Sequence, residues 1–230
     1  FSYILKIVLI GALQIGIMYM LYLNAFNYTS VQKILLFTIT TPFYVTMISQ
    51  IINKKIKLFA FFIALISILG ALVIRMTDLN TGDFVGFIFI QLANISFALG
   101  QVLYKIIKAD NKISTNVYTD FSFFFIGASF ITLIGLMIST SSYTQPSSTS
   151  QWLLVLWLGG GASGIGYYFW NHGATQVRVE TLATMNNLVI PLGLFIEVLF
   201  FSGTYNYQTF VVGSVIIISS IIASLRFDNN

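Results

Sequence analysis

Apolar residues run along this chain in long blocks and do not alternate with polar ones. Each block approaches the roughly 20 residues a helix needs to cross a bilayer. Eight blocks predict eight transmembrane helices, at 4–26, 31–52, 57–75, 84–106, 117–139, 152–173, 182–202 and 206–226. The longest connection, Ser139 to Gln151, is rich in Ser and Thr and carries Pro146, as an exposed loop does. No segment has the composition of a second, soluble domain.

Composition carries the same message. Of 230 residues 57% are hydrophobic and 8% are charged, with a mean hydropathy of +0.88. A soluble domain carries about 25% charged residues. A water-facing surface cannot be built from 11 basic and 7 acidic side chains on this length of chain, so much of the surface faces lipid. The 22 Phe and 12 Tyr suit helix interfaces and the lipid–water boundary. The net charge of +4 is scattered through short loops, with no basic run beyond Lys54-Lys55-Ile56-Lys57, so no nucleic-acid partner is expected. The chain has no Cys, which removes thiolate metal sites and Cys nucleophiles. The first apolar block is long enough to span and lacks a processing site, unlike a cleavable signal peptide.

Eight spans would put both ends of the chain on one side. Lys6, Lys54, Lys55, Lys57, Lys105, Lys108, Lys112, Arg178 and Arg226 then share that side, and only Lys33 and Arg75 face the other. Loops on the cytoplasmic side carry the Lys/Arg excess. Both termini of the chain are therefore expected in the cytoplasm, and the protein in the cell (plasma or inner) membrane.

The chain also looks like two copies of one unit. Tyr19, Ala25 and Pro42 each stand 149 positions before Tyr168, Ala174 and Pro191, and Phe59 and Arg75 stand 151 before Phe210 and Arg226. The second unit then covers 82–226 with five helices. The first, 1–75, holds three, with room for two more about 67 residues ahead of Phe1. Two five-helix units make a ten-helix protein. An odd helix number inverts one unit against the other, the architecture of secondary transporters with a site between the halves.

The stretch Gly164-Ile165-Gly166-Tyr167-Tyr168-Phe169-Trp170-Asn171-His172-Gly173-Ala174, then Met185-Asn186-Asn187 leading to Pro191, resembles the EamA-type transporters of the drug/metabolite transporter superfamily. Gly16 through Tyr19, Ala25 and Thr41-Pro42 form the earlier counterpart. The resemblance covers nearly the whole chain. It implies ten helices in two inverted repeats of five, here without the first two, and cytoplasmic termini. It also implies export of small metabolites such as amino acids, amines, carboxylates or drugs. The family often places an acid about a dozen positions after each helix proline, where this chain has Lys54-Lys55 and Gly203-Thr204.

Candidate site residues follow from polarity inside the spans. Glu197 is the deepest acid and is read either as a proton-coupling group or as a side chain reaching the interface. Asn186, 11 positions earlier, points the same way on a helix of 3.6 residues per turn. Asn186 and Asn187 precede Pro191, and Thr38 precedes Pro42. Each could satisfy a carbonyl freed by its proline or bind substrate. The prolines themselves are candidate hinges. Tyr19 and Tyr22 mirror a cluster of Tyr167, Tyr168, Trp170 and Asn171, which suits an amphipathic ligand or an interfacial belt. Gln91, Asn94 and Gln101 line one side of a span, facing ligand or a neighbouring helix. His172, the single histidine, is expected to be an interfacial hydrogen bonder more than a proton relay.

Two motifs are decoys. Gly159-Gly160-Gly161-Ala162-Ser163-Gly164 fits a dinucleotide pattern but sits inside an apolar span, where small residues permit close helix approach. Asn27-Tyr28-Thr29 fits a glycosylation acceptor too close to the membrane. No catalytic triad, metal cluster or cofactor motif assembles, so the expectation is a transporter and not an enzyme. It would work by alternating access on a small-molecule substrate, with coupled protons. The alternative is an integral-membrane enzyme acting on lipid-linked substrate.

Overall fold

A computed structural model describes residues 3–75, 81–109, 116–138, 145–201 and 206–226. Every regular element among them is helical. The rods are α1 (Tyr3–Ala25), α2 (Val31–Asn53), α3 (Leu58–Arg75), α4 (Phe84–Ala109), α5 (Val117–Ile138), α6 (149–176), α7 (Val179–Phe200) and α8 (Tyr207–Arg226). Six of these described rods, all but α3 and α6, are long and apolar enough to cross a membrane. The apolar part of α3 is shorter, Leu58–Ile74, and α6 is diluted by its glycines. The chain is an all-helical integral membrane protein. Lys112, Gly203, Thr204 and part of the Ser139–Gln151 loop lie outside the described residues, as do the side chains of Arg75 and Glu197.

Local signals end the rods where the sequence turns polar. Lys54 stops α2 in the left-handed conformation at φ 52°. Gln50 then clamps the turn, accepting from Lys57 N at 2.9 Å and donating to Lys57 O at 3.1 Å. Ser148 caps α6, its Oγ accepting from Gln151 N at 3.3 Å.

Two rods are not plain α-helix. A π-helical segment occupies Ala12–Ile17 in α1 and another occupies Trp157–Gly166 in α6. Their ends lie 149 positions apart (166 − 17). Segments of this kind are rare and frequently mark functional positions.

α4 is the hub of the packing. It gives Ile90 to one buried cluster, Tyr104 to a second, and Ala98 and Val102 to a third. The first cluster joins it to α1, α2, α3, α7 and α8, the second to α1 and α5, the third to α2 and α7. Outward faces keep large apolar side chains such as Leu65, Leu133, Leu153 and Ile218 exposed. In water such patches would aggregate, whereas lipid leaves them at no disadvantage.

Glycines set how closely some rods approach. α3 and α8 cross backbone to backbone at Gly70 and Gly213, where a Cβ on Gly70 would lie 2.9 Å from Gly213 O. α1 meets α5 the same way, Gly11 against Phe124 and Gly127 against Val8. The glycine run of α6 departs from this expectation. Gly159 and Gly160 face open space, and Gly161 faces only its own Trp157 ring. No residue of 149–166 is buried among the described residues, and the contact of this run with α1 is the Tyr19–Ser163 hydroxyl pair at 3.0 Å.

Replacing Gly213 by Leu should force α3 and α8 apart and cost about 1–3 kcal/mol. Thermal unfolding in detergent should show a clear fall in midpoint, while Gly173→Ala, at an open position, leaves it unchanged.

Candidate functional site

The site begins with two broken helices. α2 stops at Thr38 and resumes at Thr41, with Pro42 in the new first turn. α7 passes through a tighter turn at Asn186–Leu188 before resuming at Val189, ahead of Pro191. A helix proline cannot donate to the carbonyl four residues earlier. For Pro42 that carbonyl is Thr38 O, and Thr41 Oγ1 donates to it at 2.7 Å.

Side-chain amides satisfy the other carbonyls at these breaks. Phe37 O accepts from Gln91 Nε2 at 3.1 Å and from Asn94 Nδ2 at 3.0 Å. Ile39 O accepts from Asn187 Nδ2 at 3.1 Å, which ties α7 to α2. Asn186 Nδ2 donates to Leu182 O of its own helix at 2.9 Å. In low-dielectric surroundings an unmet carbonyl is costly, so these bonds fix the breaks in place.

A cavity of about 510 Å³ lies between the breaks, within the usual range for small-molecule sites. Tyr19 and Tyr22 of α1, Thr38 and Thr41 of α2, Asn94 and Phe97 of α4, Tyr167 and Trp170 of α6, and Asn186 and Asn187 of α7 contribute to its wall. The three asparagines commit their amide N–H groups to protein acceptors. Their carbonyl oxygens have no hydrogen-bond partner among the described residues. Trp170 also lines the cavity, and its indole N–H is buried without an acceptor among the described residues. The wall is mostly apolar and aromatic, with a few amide and hydroxyl groups and no charged residue.

Six of the nine substrate-site residues expected from sequence therefore share one cavity: Tyr19, Tyr22, Thr38, Asn94, Asn186 and Asn187. The other three stand outside it. Gln91 is buried, and its Oε1 accepts from Thr40 Oγ1 at 2.7 Å and from Tyr44 at 3.1 Å. Tyr168 packs edge-on against Phe121 and stacks on Tyr118 and on His172, which is exposed. Asn171 is fully buried and accepts from Gln14 Nε2 at 3.0 Å. Pro42 and Pro191 are both buried at their helix restarts.

Sequence reasoning missed Thr41, Phe97 and Gln14. Gln14 is a polar residue deep in an apolar block, the signal that singled out Gln91. Beside the cavity, Gln14 Oε1 and Gln101 Nε2 are buried without partners.

Charged groups gather at the two ends of the bundle. At one end Glu180 takes Lys57 Nζ at 2.9 Å and Arg178 Nε at 3.6 Å, and Asp120 takes Lys108 at 2.8 Å and Tyr3 at 2.8 Å. At the other, Asp83 takes Lys33 Nζ at 2.7 Å and Thr29 Oγ1 at 2.6 Å.

The chain is 36% identical over 214 residues to the biotin transporter of Escherichia coli K12, covering 93% of this chain and 71% of that one. The same figures hold for the biotin transporter of Salmonella typhimurium LT2. The protein of Pseudomonas aeruginosa named "Probable biotin transporter" is 36% identical over 216 residues, covering 94% and 75%. The chain belongs to this family of membrane transporters. No family model matches the transporter. A solved crystal structure shares its fold with a TM-score of 0.77 and 15% identity, covering 100% of this chain and 78% of the other.

In this transporter the Gln14–Asn171 bridge ties α1 to α6 beside the cavity. Either Gln14→Leu or Asn171→Leu should strand a buried amide and cost about 1–3 kcal/mol. The double variant should lose less than the sum. A double-mutant cycle on detergent stability reads that coupling.

Proposed function

We propose that this chain forms the core of a carrier that moves biotin across the cell membrane, with the cavity between the two helix breaks as the binding site. The observation that carries the reading is the acceptor wall of Asn94, Asn186 and Asn187, in a chain 36% identical to biotin transporters. The ureido group of biotin offers two N–H donors and one carbonyl acceptor. The three asparagine oxygens suit the donors, and the free indole N–H of Trp170 suits the carbonyl. Tyr19, Tyr22, Tyr167 and Phe97 flank the fused rings. Of the metabolite classes expected from sequence, this reading selects a single carboxylic acid.

We further propose that the bundle is built as two inverted five-helix units of the EamA type, a partial one over 1–75 and a second over 82–226. Four features support this. The π-helical segments of α1 and α6 end in register, as do the α-helical turns that follow, Met18 and Tyr167 (167 − 18 is again 149). The breaks of α2 and α7 fall at matching places. α3 and α8, the last helices of each unit, pack directly on one another, backbone to backbone at Gly70 and Gly213. The unburied 149–166 segment of α6 is the counterpart of the part of α1 that packs on α5. Two further helices of a complete first unit would cover it. In that arrangement all eight rods span, and the end bearing Lys57, Lys105, Lys108 and Arg178 faces the cytoplasm. Rocking one unit on the other about the Pro42 and Pro191 restarts alternates access, and Glu197 on α7 couples the movement to protons.

Vesicles containing the full chain test the reading with labelled biotin. Saturable flux, competed by unlabelled biotin and not by neutral amino acids, is expected, and the vesicle orientation that shows it gives the direction. Asn94→Leu and Asn186→Ala should each lower flux about tenfold at limiting biotin. Glu197→Gln should abolish the response to a proton gradient while biotin exchange persists. Absence of biotin flux at normal membrane levels of the wild-type chain would overturn the substrate assignment.

A further inference from the structure

The cavity wall is uncharged, yet biotin carries a carboxylate. The polar side of α4 supplies what the wall lacks. Asn94 lines the cavity, and Lys105 lies 11 residues further along α4, only about 20° away around the helix at 3.6 residues per turn. Gln101, one turn before Lys105, stands between them.

Gln101 is fully buried, and its Oε1 accepts from the cavity residue Asn186 at 3.4 Å. Its Nε2 has no acceptor. The amide head of Gln101 is therefore in direct contact with the cavity wall and holds an unused donor. An orphan of this kind is expensive unless something pairs with it in another state.

Lys105 is half-buried at the seam between α4 and the α6–α7 connection. Its Nζ donates to Ala174 O at 3.1 Å and to Val177 O. An ammonium has three donors, so one is left over. The ion pairs at this end of the bundle serve Lys57, Lys108 and Arg178, and none of the described carboxylates lies at ion-pair distance from Lys105. The partial negative charge at the end of a helix offsets about half a unit, so the site keeps a positive remainder.

We propose that Gln101 Nε2 and Lys105 Nζ form an anion step that takes the substrate's carboxylate between the cavity and the Lys105 end of the bundle. Lys105 is then a specificity-determining residue, separating carboxylic acids from their neutral analogues. The inference rests on the biotin reading given above. It predicts which end of the molecule leads toward that side: the carboxylate moves ahead and the ureido head stays on the asparagines.

Reconstituted full-length chain, assayed with biotin and with neutral biotinamide, tests this. Lys105→Met should raise the KM for biotin at least tenfold and leave that for biotinamide unchanged. Lys105→Arg should restore biotin to within about threefold of wild type, and Gln101→Leu should weaken biotin alone. Equal loss of both ligands in Lys105→Met, rescued by Arg, would reduce Lys105 to a cap on the Ala174 and Val177 carbonyls and overturn the proposal. Unchanged KM for both would overturn it as well. Wild-type chain that moves no biotin would instead defeat the substrate reading itself.

Discussion

Main-chain carbonyls released inside an apolar bundle must find donors, and this constraint organises the structure. The break in α2 frees carbonyls at Phe37, Thr38 and Ile39. Water cannot reach them cheaply in a bilayer, so side chains from other rods must. Gln91 and Asn94 come from α4, Asn187 from α7, and Thr41 from α2 itself. These bonds fix the separation of α2, α4 and α7, and the cavity is the space that separation leaves.

The same bonds determine the chemistry of the cavity. An amide that spends its N–H groups on main-chain carbonyls must turn its oxygen elsewhere. Asn94, Asn186 and Asn187, which spend their N–H groups in this way, all line the cavity. A structural need thereby leaves amide oxygens beside the cavity with no partner among the described residues. Closing the helix breaks and lining the cavity are two consequences of one geometry.

Charge is distributed by the same logic. Acids are paired at both ends of the bundle, at Glu180 and Asp120 on one side and at Asp83 on the other. Between the ends the described wall is neutral. Hydrocarbon tolerates amides and hydroxyls that are paired within the protein far better than it tolerates charge.

The sequence by itself determined the class and the rods, because bilayer thickness and helix rise convert directly into the length of an apolar block. It also marked Tyr19, Tyr22, Thr38, Asn94, Asn186 and Asn187, since a polar residue in such a block needs a reason to be there. What it could not decide was which polar residues would meet one another. Gln91 and Asn171 have the same type and spacing as the cavity residues, yet each is consumed by a partner from a distant part of the chain, Thr40 and Gln14. Small residues misled for the same reason: Gly213 meets Gly70, whereas Gly160 meets nothing, and periodicity is blind to the difference. Those outcomes belong to tertiary structure because they depend on distances between rods, which no local pattern encodes.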